Sequence, residues 1–109
     1  MAYAYKVLAQ SAPSATTNTD IYTVGAGKQA VVSTITVANR SATARTYRIA
    51  VRPAGATLAN QHYIAYDVSV LANDTTALTL GITLAATDVV TVYASTADLS
   101  FGIFGTETS

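Results

Sequence analysis

The chain contains no cysteine and no tryptophan, one histidine, two prolines and a single methionine at its first position. Without cysteine there is no disulfide framework, no thiol nucleophile and no thiolate-bound zinc. One histidine, His62, leaves no multi-histidine metal site to build, and no metal or cofactor is expected. Charge is scarce as well. Only 11% of the residues are Asp, Glu, Lys or Arg, against roughly 25% in an average domain. Six basic residues balance six acidic ones. That balance speaks against nucleic acid as the partner, because such affinity rests on Lys and Arg neutralising phosphates. It speaks equally against disorder, which needs low hydrophobicity and high net charge. No window holds the roughly 18 apolar residues that a membrane-spanning helix needs. The N-terminus lacks the basic stretch and long apolar run of a secretory signal, so neither export nor a membrane is expected. So few charges at zero net favour association. The first expectation is therefore a surface largely covered by something else.

What is present is Ala, Thr and Val in alternating rows. At 109 residues, half of them apolar, the chain closes one core, and a single domain over 1–109 is expected. Thr and Val suit a pleated, half-buried surface and are poorer helix formers. Leu78, Leu80, Ile82 and Leu84 alternate with Thr79, Gly81 and Thr83, which points one row inward. Tyr47, Ile49 and Val51 alternate with Arg48, Ala50 and Arg52. In the run from Val31 to Val37, the odd positions are expected on one side and Val32, Thr34 and Thr36 on the other. Polar or Gly-containing punctuation separates eight expected strands at 4–10, 20–24, 29–38, 45–52, 61–70, 76–84, 89–94 and 99–104. That count and spacing predict an all-β, antiparallel sandwich of jelly-roll or immunoglobulin-like type. Residues 1–19 form an N-terminal strand or arm, and 53–60 a second loop.

Candidate chemistry is thin. Gly25-Ala26-Gly27-Lys28 lacks the spacing and following helix of a phosphate loop and reads as a hairpin turn. His62 lies near Tyr63, Tyr66 and Asp67, but its strand parity opposes that of Asp67, and no nucleophile motif accompanies it. It is read as packing against tyrosines or marking an interface. Asp20, Asp67, Asp74, Asp88, Asp98 and Glu107 are scattered singly. Asn39-Arg40-Ser41 and Asn73-Asp74-Thr75 match a glycosylation pattern and are read as turns. Arg40, Arg45, Arg48 and Arg52 cluster, with two readings: a solvated face paired with acids, or forks that grip carboxylates on a partner. Seven tyrosines are the last signal, since tyrosine joins apolar area to a polar tip and is enriched in contact surfaces. Tyr3 and Tyr5 share a strand face, whereas Tyr63 and Tyr66 are expected on opposite faces. The candidate interface residues are thus Tyr3, Tyr5, Arg45, Arg48, Arg52, His62 and Tyr63.

The stretch from Ile21-Tyr22-Thr23-Val24-Gly25-Ala26-Gly27-Lys28 through Val32-Ser33-Thr34-Ile35-Thr36-Val37-Ala38-Asn39 resembles an opening common in small β-sandwich virion proteins of tailed bacteriophages, cyanophages included. Asn60–Asp67, Leu80–Leu84 and Val92-Tyr93-Ala94 are similar to the same group. Gly25 stands where that pattern usually carries Pro. The resemblance carries across no active-site residues. It implies a non-enzymatic structural protein, made in the host cytoplasm and located in the virion. Within that class a capsid decoration (cement) protein is expected, holding the major capsid protein as a homo-oligomer such as a trimer. Alternatives are a neck, tail, baseplate or fibre component, or a carbohydrate-binding module for host attachment. An N-terminal strand over 2–9 is expected to add to a neighbour's sheet edge by main-chain pairing.

Overall fold

Alternating Thr and Val, cut at intervals by Gly, Asn-Asp and Pro, resolves into strands throughout. The computed structural model describes residues 3–108, so the first two residues of the expected arm lie outside the described residues. The strands are β1 (Tyr3–Ser11), β2 (Thr19–Thr23), β3 (Ala30–Asn39), β4 (Arg45–Arg52), β5 (Tyr63–Val70), β6 (Thr75–Leu84), β7 (Val89–Ala94) and β8 (Leu99–Thr108). Two expected boundaries move. Asn60–His62 is a short 3-10 turn, which starts β5 at Tyr63. β8 runs on to Thr108 because β1 and β3 flank it and bond to both of its sides. The Gly105-Thr106-Glu107-Thr108 extension has no apolar alternation of its own to announce it.

Two four-stranded sheets form, in the orders β1-β8-β3-β6 and β2-β7-β4-β5. Every pairing is antiparallel. Four of them, β1 with β8, β2 with β7, β3 with β6 and β4 with β5, are those of one long hairpin with its tip between β4 and β5. Pairing of β3 with β8 and of β4 with β7 winds that hairpin on itself. This is the jelly-roll sandwich, with every connection except β4 to β5 crossing between sheets. Val32, Ile35 and Val37 of β3 and Leu99, Phe101 and Ile103 of β8 face Tyr47, Ile49, Val90 and Val92 across the core. The Tyr47 and Phe101 rings meet edge-on at 6.3 Å. Each such side chain contributes about 1.5–3 kcal/mol on leaving water.

Strict alternation fails along one transverse line of the β1-β8-β3-β6 sheet. Ser33 is an extra residue in β3, since Val32 pairs with Gly105 and Thr34 with Phe104. Its hydroxyl donates to the Phe104 carbonyl at 3.1 Å. The inward row therefore runs Ala30, Val32, Ile35, Val37, and Val31 is exposed, contrary to the parity expected for Val31–Val37. Leu8 is a similar insertion between Val7 and Ala9. In β6 two residues, Leu80 and Gly81, intervene where β3 has one. Gly81 takes φ +64°, and Leu80 is thrown outward, which corrects the unbroken inward row expected for Leu78–Leu84. An extra residue bends its strand and strengthens local twist, so this sheet bends where the bulges line up. A Cβ on Gly105 would come within 2.0 Å of the Val31 carbonyl. Only glycine permits that close approach of β8 to β3.

Candidate functional site

Asn39, at the end of β3, is a buried polar hub. Its amide nitrogen donates to the carbonyls of Thr43 at 2.8 Å, Val70 at 3.1 Å and Leu71 at 3.2 Å. Its oxygen accepts from the Ser41 amide and hydroxyl, each at 2.9 Å. The turn expected at Asn39-Arg40-Ser41 is thus built around a side chain that also joins the two sheets. The turn at Gly25–Lys28 closes with the Lys28 amide bonded to the Gly25 carbonyl at 3.1 Å, and Gly27 supplies φ +75°.

The outer faces of the two sheets differ in kind. In β1, β3, β6 and β8 the only charged residues are Lys6 and Glu107, and both turn inward. Glu107, 11% exposed at its side chain, meets the Lys6 ammonium at 3.0 Å and that of Lys28 at 3.8 Å. It also accepts a short hydrogen bond from the Tyr22 hydroxyl, across from the other sheet. That bond and the Lys6 contact hold the Glu107 carboxyl below the ordinary carboxylate range against a smaller opposing effect of burial. Burial and the carboxylate together push the Tyr22 phenol up. What remains outside on this sheet is uncharged. Tyr3, Tyr5 (87% exposed), Val7, Val31 and Leu80 are exposed among threonines such as Thr79 and Thr83. The Phe104 ring lies over Gly102, whose added Cβ would meet that ring and the Thr36 hydroxyl at 2.8 Å. At one end a groove of about 550 Å³ is lined by Tyr3, Gln29, Val31, Thr83, Thr106 and Asp88, among others. Asp88 is the groove's one charged residue, and its carboxylate accepts from the Ala54 and Ala85 amides at 2.8 Å each.

The other sheet carries the charge and closes it within the chain. Arg45 pairs with Asp98 at 3.2 Å, Arg48 with Asp67 at 2.7 Å and Arg52 with Asp20 at 2.8 Å. Of the two readings of these arginines, pairing with acids of the same chain is the one seen here. Arg48 is gripped further, with its guanidinium 4.2 Å from the Tyr66 ring centre and 4.3 Å from that of Tyr93. Arg52 also donates to the Thr91 hydroxyl at 3.0 Å. Tyr63 and Tyr66 meet edge-on at 4.9 Å, so the opposite faces expected for them are corrected. β5 carries extra residues relative to β4 between its pairings with Tyr47, Ile49 and Ala50, and Asp67 takes φ +51°. Parity counted along the sequence is lost there. The two rings and Asn60 line a notch of about 310 Å³.

His62 is 9% exposed. Its Nδ1 accepts from the Ala59 amide at 3.0 Å, while its own amide donates to the Ala59 carbonyl at 3.1 Å. The imidazole therefore pins the 3-10 turn, with its proton on Nε2. Among the described residues no group of three or more His, Asp or Glu could hold a metal ion, and no helix is long and apolar enough to cross a membrane. Sequence reasoning missed Val7, Val31, Leu80 and Phe104 on the uncharged face. The missing signal was strand order, since four nearly uncharged strands become one face only when they are neighbours.

Fold and faces together define an eight-stranded jelly-roll sandwich with one uncharged outer face and one closed by internal Arg–Asp pairs. Compared with protein-family models, with curated proteins and with solved structures, the chain matches none of them.

Proposed function

We propose that this chain is a non-enzymatic structural protein of a tailed-bacteriophage virion, a decoration protein that lies on the head against the major capsid protein. One observation carries the reading: the outer face of the β1-β8-β3-β6 sheet presents tyrosine, threonine and aliphatic side chains with no charge among them. Depletion of charge with retention of tyrosine is the composition of an interface core. The jelly roll is used by viral capsid domains, and the resemblance of the Ile21–Asn39 stretch to phage virion proteins agrees with it. The mechanism is adhesion. Many copies, each making a modest contact, sum to a shell that resists internal pressure. The test is quantitative mass spectrometry of purified particles. A copy number close to that of the major capsid protein is expected. A number matching a single ring at the neck or tail would replace decoration by a neck, tail, baseplate or fibre role.

A second reading rests on the notch formed by Tyr63, Tyr66 and Asn60. Aromatic faces beside an amide can stack and hydrogen-bond a sugar ring, and lectin domains use the same architecture. This reading gives host attachment through glycans, on the sheet opposite the uncharged face.

A further inference from the structure

A jelly roll leaves four edge strands, here β1 and β6 on one sheet and β2 and β5 on the other. Each edge exposes a row of backbone donors and acceptors that another strand can use, and proteins normally blunt such edges with short length, charge or bulges. β2 has five residues, includes Asp20 and shifts register at Ile21. β5 shifts register twice and carries Asp67 at φ +51°. β6 is rich in threonine and is broken at Leu80-Gly81. β1 differs from all three. From Tyr3 to Val7 it pairs with β8 in unbroken register, Tyr3 with Thr108 through Val7 with Phe104. All five of these residues are exposed, and no described strand pairs with its outer side. Its single charge, Lys6, is drawn inward onto Glu107 at 3.0 Å.

We infer that this edge is a self-association site: β1 pairs antiparallel with β1 of a second copy, with Tyr5 on the two-fold axis. Charge selects the register. Centring on Lys6 would set two ammonium groups directly opposite each other, which is destabilising. Centring on Tyr5 sets Lys6 opposite Ala4, Tyr3 opposite Val7, and Tyr5 opposite itself. All facing pairs then share a side of the sheet, and the aromatic row is continued across the axis. A two-fold contact of this kind is self-complementary and closes on itself. The two four-stranded sheets become one of eight strands whose uncharged outer faces are continuous. The inference stands on edge geometry and not on the virion reading, so either can fail without the other.

Sedimentation velocity of the full chain over a wide concentration range tests it, together with two variants. The native chain is expected to dimerise reversibly. Tyr5→Glu, at a side chain the monomer leaves exposed, sets like charges opposite each other and is expected to weaken the dimer about tenfold or more. Because the chain has no cysteine, Tyr5→Cys adds a single thiol. Directly opposite strand residues lie about 4.5–5.5 Å apart at Cα, within disulfide reach. Mild oxidation should therefore link this variant as a dimer, whereas Thr79→Cys, on the far edge strand, should stay unlinked. A monomer at every concentration, a trimer, or a dimer indifferent to both Tyr5 variants would overturn the inference.

Discussion

Tyr47 is buried to its tip, and among the described residues its hydroxyl has no hydrogen-bond partner. Burial alone pushes its phenol pKa up. A buried polar group without a partner costs about 1–3 kcal/mol relative to one that is satisfied or absent. Tyr47→Phe keeps the ring against Phe101 and removes the orphan group. It is expected to raise stability by about 1 kcal/mol, read as a higher denaturant midpoint at unchanged slope. A lower midpoint would mean that the hydroxyl has a partner after all. Asn39 is the opposite case, a buried polar group with its amide and carbonyl both engaged. In the sequence both residues look ordinary, a tyrosine in an alternating row and an asparagine before a turn. The tyrosine's inward side was legible from that alternation. The partners of the asparagine were not, because two of its three acceptor carbonyls, those of Val70 and Leu71, lie far along the chain.

At the scale of elements, one carboxylate latches the N-terminal strand. Glu107 on β8 holds Lys6 of β1, Lys28 of the β2–β3 turn and Tyr22 of the opposite sheet. Its pKa is lower folded than unfolded, so its contribution is fully present above the unfolded value of about 4.3 and is lost as pH falls through the folded value. Glu107→Gln is therefore expected to be less stable than the native chain at pH 7. The gap should narrow as pH drops below about 4, followed by urea unfolding at several pH values. A gap independent of pH would show that charge is not what Glu107 contributes. Strand positions were largely legible, since period-two patterning and Gly, Asn and Asp punctuation are local signals. The bulges were not. Ser33, Leu8 and Gly81 are set by how three strands fit around β8, and each one reverses the parity of everything beyond it.

For the whole molecule, the contrast between faces divides the two functional readings. Decoration uses the uncharged face, and glycan attachment uses the Tyr63–Tyr66 notch on the other sheet. Thr79 is exposed at the middle of the uncharged face, so Thr79→Glu should leave stability within about 0.5 kcal/mol and abolish binding to particles stripped of this protein. Tyr66→Ala should leave that binding intact, and a cosedimentation assay reads both. The reverse pattern, with Tyr66→Ala losing binding and Thr79→Glu keeping it, would favour the glycan reading.

Composition and alternation alone determined an all-β chain with a single core, few charges and no cysteine or multi-histidine chemistry, because each of these is a local or summed property of the residues. Only the tertiary structure decided that the scarce charges separate by sheet. Lys6 and Glu107 meet each other inside, while Arg45, Arg48 and Arg52 meet Asp98, Asp67 and Asp20 on the other sheet. Those partners lie far apart in the chain, and it is the winding of one long hairpin into a jelly roll that makes neighbours of strands 1, 8, 3 and 6. Low charge, spread along the sequence, thereby becomes one continuous uncharged face.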